Sequence, residues 1–197
     1  MHRLFIHILF PIGLTTIISL ISDKSIGQTN FAYGCEIEEM DTARVLKASF
    51  PQGRGSLPST FSLKQFAPIP GNQGQLNACA AWSSAYAGLT ILRGIEYNQA
   101  QVPCDPLHLY NRVQTSLNRE PCVKGSTIEA ALKILKSNGC ATKGEYHQQC
   151  GSEPLLQKFP ADLYDYQRLE NTVSCYKKAL ANNQPIIAAF TAYQYTG

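Results

Sequence analysis

A glutamine stands six residues before a cysteine in the stretch Gly71-Asn72-Gln73-Gly74-Gln75-Leu76-Asn77-Ala78-Cys79-Ala80-Ala81-Trp82. Its surroundings constrain the fold more than any other part of the chain. Ahead of Cys79, Pro68, Pro70 and Gly71 hold the backbone in turns. Behind it, Ala81, Ala85, Leu89 and Leu92 recur at helical spacing with no proline, which predicts a long helix from Cys79 to about Ile95. The small residues of that helix suit burial between two lobes. A loop thus delivers a sulfur to the first turn of a buried helix. Backbone N–H groups and the positive end of the helix dipole meet there and favour thiolate over thiol. The Gln73 carboxamide and the Cys79 N–H are then in place to donate to a developing oxyanion. The pattern is that of a thiol nucleophile. The competing reading is a small buried hydrophobe, because Ala78, Ala80, Ala81 and Trp82 surround Cys79.

Three more helices follow from the apolar spacing. Pro106 to Leu117 carries Leu107, Leu109, Tyr110 and Val113. Ser126-Thr127-Ile128-Glu129 has the form of a capping box, followed by Ile128, Ala131, Leu132 and Leu135 on one face. Asn138-Gly139 stops that helix. Thr172 to Asn182 reads as the fourth, with Lys177 and Lys178 toward its C-terminal half. Leu57 to Leu63, Leu163 to Tyr166 and Pro185 to Phe190 read as strands, and Glu145 to Pro160 as a loop. The mixture predicts an α+β fold.

Apolar residues make up 44% of the 197-residue chain and charged residues 16%, the balance of a globular protein. A net charge of +3 gives no basic stripe and no case for nucleic acid. Residues 1–27 read as a secretory signal: His2 and Arg3, an apolar run from Leu4 to Ile21, then a polar stretch with Ser25 and Gly27 at the small positions. Cleavage after Gly27 removes the segment, and no stable membrane association is expected afterwards. Export makes disulfides the expectation for the seven cysteines. An odd count leaves one thiol over, with Cys79 the natural candidate. No histidine pair shows metal-ligand spacing with the cysteines, and no cofactor motif is present.

Gln73, Gly74 and Cys79 match in identity and spacing the nucleophile motif Gln-Gly-x-Cys-Gly-Ser-Cys-Trp, so the chain resembles the papain-like cysteine peptidases. Leu57, Pro58 and Phe61 extend the resemblance, since mature domains of that family often begin with a similar phrase. The resemblance implies a papain-like α+β fold with a helical lobe largely complete and a barrel-like lobe incomplete. It divides the chain into a signal (1–27), a short N-terminal arm (28–56) and a peptidase domain (57–197). It implies Cys79 as nucleophile, Gln73 in the oxyanion hole, no cofactor, and a peptide or protein substrate. Gly125 keeps the second glycine of a Gly-Gly edge that pairs with substrate backbone in relatives, with Lys124 in place of the first. An ordinary turn glycine is the other reading. The arm is too short to be a folded inhibitory prosegment. Leu76 stands where the family has a disulfide cysteine, so Cys122, at the position of its usual partner, must pair elsewhere or stay reduced. Papain-like enzymes carry a histidine base about 130–150 residues after the cysteine, a position beyond Gly197. His108 and His147 lie where the family has no base. The expectation is therefore an exported endopeptidase represented by its N-terminal portion and inactive alone. The alternative is a non-catalytic papain-like module that binds peptides or surfaces.

Overall fold

The computed structural model describes residues 34–36, 47–50, 57–120, 122–143, 149–152 and 165–189. The signal segment lies outside the described residues, and so does most of the arm.

Cys79 opens a continuous central helix in three parts: α1 (Cys79–Ala81), a π-helical stretch (Trp82–Leu89) and α2 (Thr90–Glu96). The single helix expected from Cys79 to about Ile95 is present, but its middle is widened. Thr90 Oγ1 donates to Ala85 O, five residues back, at 3.3 Å, as suits the wider turn. Ala80, Ala81, Ala85 and Leu89 are buried on this helix. The small alanine side chains let α3 (Pro106–Ser116) and α4 (Ile128–Asn138) pack directly on it. Leu109, Tyr110 and Val113 come from α3, and Ala131, Leu132 and Leu135 from α4. Each fully buried leucine contributes about 1.5–3 kcal/mol.

The helix ends follow local chemistry. Asp105 caps α3 by accepting from Leu107 N at 2.8 Å, with Pro106 at the first helical position. Thr127, rather than Ser126, caps α4, accepting from Ala130 N at 3.1 Å. Glu129, in the first turn, pairs with Lys133 one turn on at 2.7 Å. The shift of the cap by one residue leaves the Ser126 backbone available for pairing outside the helix. Gly139, with φ of 63°, ends α4. Thr172 caps the last helix, α5 (Val173–Ala181).

The expected strands are not formed among the described residues. Leu57–Leu63 is irregular and runs into a 3₁₀ turn (Lys64–Phe66) whose Leu63 and Phe66 are buried against the helices. Residues 185–189 are also irregular, and Phe190 lies outside the described residues. Neither stretch has a ladder partner among the described residues, and apolar composition alone does not make a strand without one. Asp165 and Tyr166 are irregular as well, while Leu163 and Tyr164 are outside the described residues. The described residues hold three isolated bridges, Cys35 with Ser126, Lys47 with Arg168, and Cys104 with Thr142.

Two disulfides are present, Cys104–Cys140 and Cys122–Cys150, with Cα separations of 5.9 and 5.7 Å. Cys122 therefore pairs elsewhere, as the leucine at position 76 required. The expectation of a single leftover thiol is corrected: Cys35, Cys79 and Cys175 are all outside the disulfides. Cys35 is held by the bridge to Ser126, and Cys175 sits in the first turn of α5. No helix among the described residues is long and apolar enough to cross a membrane.

Candidate active site

The loop that feeds Cys79 is built by short-range hydrogen bonds. Asn72 Oδ1 accepts from Gly74 N at 2.7 Å, and Gly74 takes a φ of 63°, which a glycine adopts without strain. The turn folds Gln73 back toward the helix start. Its Nε2 donates to Leu76 O at 3.2 Å and points at Cys79 Sγ from 3.0 Å. The preceding Pro68–Gly71 stretch is pinned to the central helix. Tyr86 Oη donates to Ile69 O at 2.6 Å, and a Cβ at Gly71 would overlap the Trp82 ring. Trp82 and Tyr86 pack with centroids 4.7 Å apart, and the Lys143 ammonium lies 5.1 Å from the Tyr86 ring.

A second chain segment reaches the sulfur. Gly34 N donates to Cys79 Sγ at 3.3 Å. Residues 34–36 then run parallel to the Ser126 position: Ser126 N donates to Gly34 O at 3.2 Å, and Glu36 N donates to Ser126 O at 3.1 Å. Arg119 anchors the segment, donating to Glu36 Oε1 and Oε2 at 2.8 and 2.9 Å and to Gly125 O at 3.0 Å. Gly125 is buried between these partners, and a Cβ there would overlap the Gly34 carbonyl. Gly34 is equally confined, because a Cβ on it would overlap the Asn77 backbone. Two glycines thus allow the backbones to approach closely. The structure brings Gln73, Cys79 and Gly125, which the sequence singled out, into one neighbourhood with Gly34, Cys35 and Ser126, which it did not single out for the site. The signal available was Gly34 directly before Cys35 in the N-terminal arm.

The ionisation of Cys35 is displaced. Burial, then the charges of Cys79 and Glu36, push its thiol above the ordinary cysteine range. His108 has a different task. It is fully buried on α3, and its Nδ1 accepts from Ala141 N at 3.3 Å, beside the Cys104–Cys140 bridge. His147 lies outside the described residues. No group of three His, Cys, Asp or Glu side chains suited to a metal occurs among the described residues. A cavity of about 590 Å³ lies between the central helix, α4 and residues 165–169 and 184–189, and neither Gln73 nor Cys79 lines it.

No protein-family model matches the chain, and no curated protein matches it in sequence. Among solved structures it is similar to xylellain, a cysteine protease from Xylella fastidiosa, with a TM-score of 0.56 and 18% identity. That likeness shows the fold. The match covers 77% of this chain and 63% of the xylellain chain, so the present chain spans less than two thirds of the structure it resembles. A helix-rich body with little strand is therefore the described part of an architecture shared with xylellain.

Proposed function

We propose that this chain is part of an exported papain-like cysteine endopeptidase in which Cys79 is the nucleophile. One observation carries the reading: the Gln73 amide points at Cys79 Sγ from 3.0 Å, across the turn at Gly74. In the reaction, the sulfur attacks a peptide carbonyl. Gln73 Nε2 and the Cys79 N–H receive the negative charge that forms on oxygen. The amine leaves with a proton from a histidine, and water releases the acyl group. The reading requires a histidine base, which has to come from elsewhere in the protein than the described residues. His108 is committed to Ala141 and is not that base.

The pairing of residues 34–36 with Ser126 supports a place for substrate as well. An extended backbone already exchanges hydrogen bonds with this edge, beside Gly125, as a bound peptide strand does. The same observation favours the second reading, a peptide-binding module without chemistry. A fluorogenic peptide assay separates the two. A chain extended through the downstream reading frame is expected to cleave in a thiol-dependent manner, and Cys79→Ser to abolish cleavage. The 197-residue chain alone is expected to give little turnover. Tight peptide binding with no cleavage by the extended chain would establish the binding module instead.

A further inference from the structure

Cys35 is a cysteine that the proposed reaction does not use, and the fold holds it beside the one that it does. Gly34 N lies 3.3 Å from Cys79 Sγ. One residue of chain adds at most about 3.6 Å, so the Cys35 N lies within about 7 Å of that sulfur. A disulfide needs Cα atoms about 4.4–6.8 Å apart, so forming one requires the segment to seat Cys35 within that range of Cys79. The flanking contacts fix the segment on both sides of Cys35: Gly34 O and Glu36 N bond to Ser126, and Arg119 grips the Glu36 carboxylate. Cys35 also registers the charge of Cys79 in its own ionisation, so the two thiols share one electrostatic environment. Both are reduced here, and both are half-buried rather than sealed.

We propose that Cys35 and Cys79 form a reversible disulfide that locks residues 34–36 over Cys79, with a low-molecular-weight disulfide as oxidant. The Cys79 thiolate attacks one sulfur of the oxidant and expels a thiolate, leaving a mixed disulfide on Cys79. The Cys35 thiolate then attacks the Cys79 sulfur of that mixed bond and expels the second small thiolate. Two protein thiols are oxidised, one small disulfide is reduced to two thiols, and the two protein protons pass to the departing thiolates. An excess of small thiol reverses both steps. The bond itself requires only the two sulfurs. Its consequence, a nucleophile held latent under oxidising conditions, rests on the reading of Cys79 given above.

The test uses the full chain with its native disulfides, equilibrated in glutathione buffers of graded oxidation, quenched with iodoacetamide and mapped without reduction. The expected result is a peptide pair linked through Cys35 and Cys79. Both residues are then protected from alkylation, Cys175 is still alkylated, and dithiothreitol restores both. In Cys35→Ser the cross-link is absent, and Cys79 carries glutathione or the alkyl group. Mixed disulfides on Cys35 and Cys79 with no cross-link at any buffer ratio would overturn the proposal, as would a Cys79–Cys175 bond. Because the readout is mass rather than turnover, this outcome is independent of whether Cys79 proves catalytic.

Discussion

The N–H of Gly34 reaches the sulfur of Cys79 across 3.3 Å, although 45 residues separate the two. Part of the N-terminal arm therefore lies against the candidate nucleophile. The glycine at position 125 permits this, so enlarging it is the direct way to displace the arm.

Gly125→Ala places a methyl group into the Gly34 carbonyl. Overpacking of this kind costs about 1–3 kcal/mol, and 1.4 kcal/mol is about tenfold in an equilibrium. Alkylation of Cys79 by iodoacetamide is expected to accelerate about tenfold, while Cys175 labels at an unchanged rate. Hydrogen exchange at Glu36 N should rise in parallel.

Arg119→Ala tests the same docking from its other end. Glu36 and Gly125 O both lose a charged donor. The pair is partly exposed, so the effect on global stability stays within about 1 kcal/mol, whereas protection of residues 34–36 should fall measurably. The raised ionisation of Cys35 adds a pH dependence. Docking favours the protonated thiol, so its full contribution holds below the ordinary cysteine pKa of about 8.5. It is lost as pH rises through the higher value that the docked segment imposes. Exchange at Glu36 N, corrected for its intrinsic rate, should therefore show weaker protection on the alkaline side.

His108→Ala distinguishes a structural histidine from a base. The Ala141 N–H loses its acceptor in a buried site. We expect a loss of about 1–3 kcal/mol from the orphaned donor, and more from the cavity. In thermal melts the midpoint falls, while the rate of Cys79 alkylation at a temperature where the variant is folded stays at the wild-type value.

Much of the helical body was legible in the sequence, and the reason is local. Asp105 with Pro106, Thr127 with Gly139, and Thr172 each terminate a helix through bonds to residues at most four positions away. The Gln73–Cys79 approach was legible for the same reason, since one turn and one helix start generate it. What escaped was everything set by distant chain. Ser126 was read as a cap because its side chain suits one, but the arm recruits its backbone and Thr127 takes the cap. The strand readings of 57–63 and 185–189 rested on composition, and a strand also needs a neighbour. Disulfide partners were equally illegible, because Cys104 and Cys140 are brought together by α3 and α4 rather than by spacing.

One exposed pair contributes a dependence on the acid side. Lys136 donates to Asp165 at 2.9 Å and, with the Tyr166 N–H, holds the Asp165 carboxyl below its usual range. A depressed carboxyl contributes stability above its unfolded value, about 3.9, and loses it as pH falls through the lower folded value. The side chain is exposed to solvent, so Asp165→Asn should cost no more than about 1 kcal/mol at neutral pH and nothing once the carboxyl is protonated. Urea melts at both pH values check this.

The most direct test of the account is covalent labelling with a peptidyl chloromethyl ketone, read by intact mass and peptide mapping on the chain extended through the downstream reading frame, with its native disulfides kept and the arm displaced by Gly125→Ala. If Cys79 is the nucleophile and Gln73 serves the oxyanion, one adduct forms, on Cys79, and Gln73→Ala slows it by about 10²-fold, the lower end for loss of one such donor. Adducts spread equally over Cys35, Cys79 and Cys175, with no change on replacing Gln73, would contradict it.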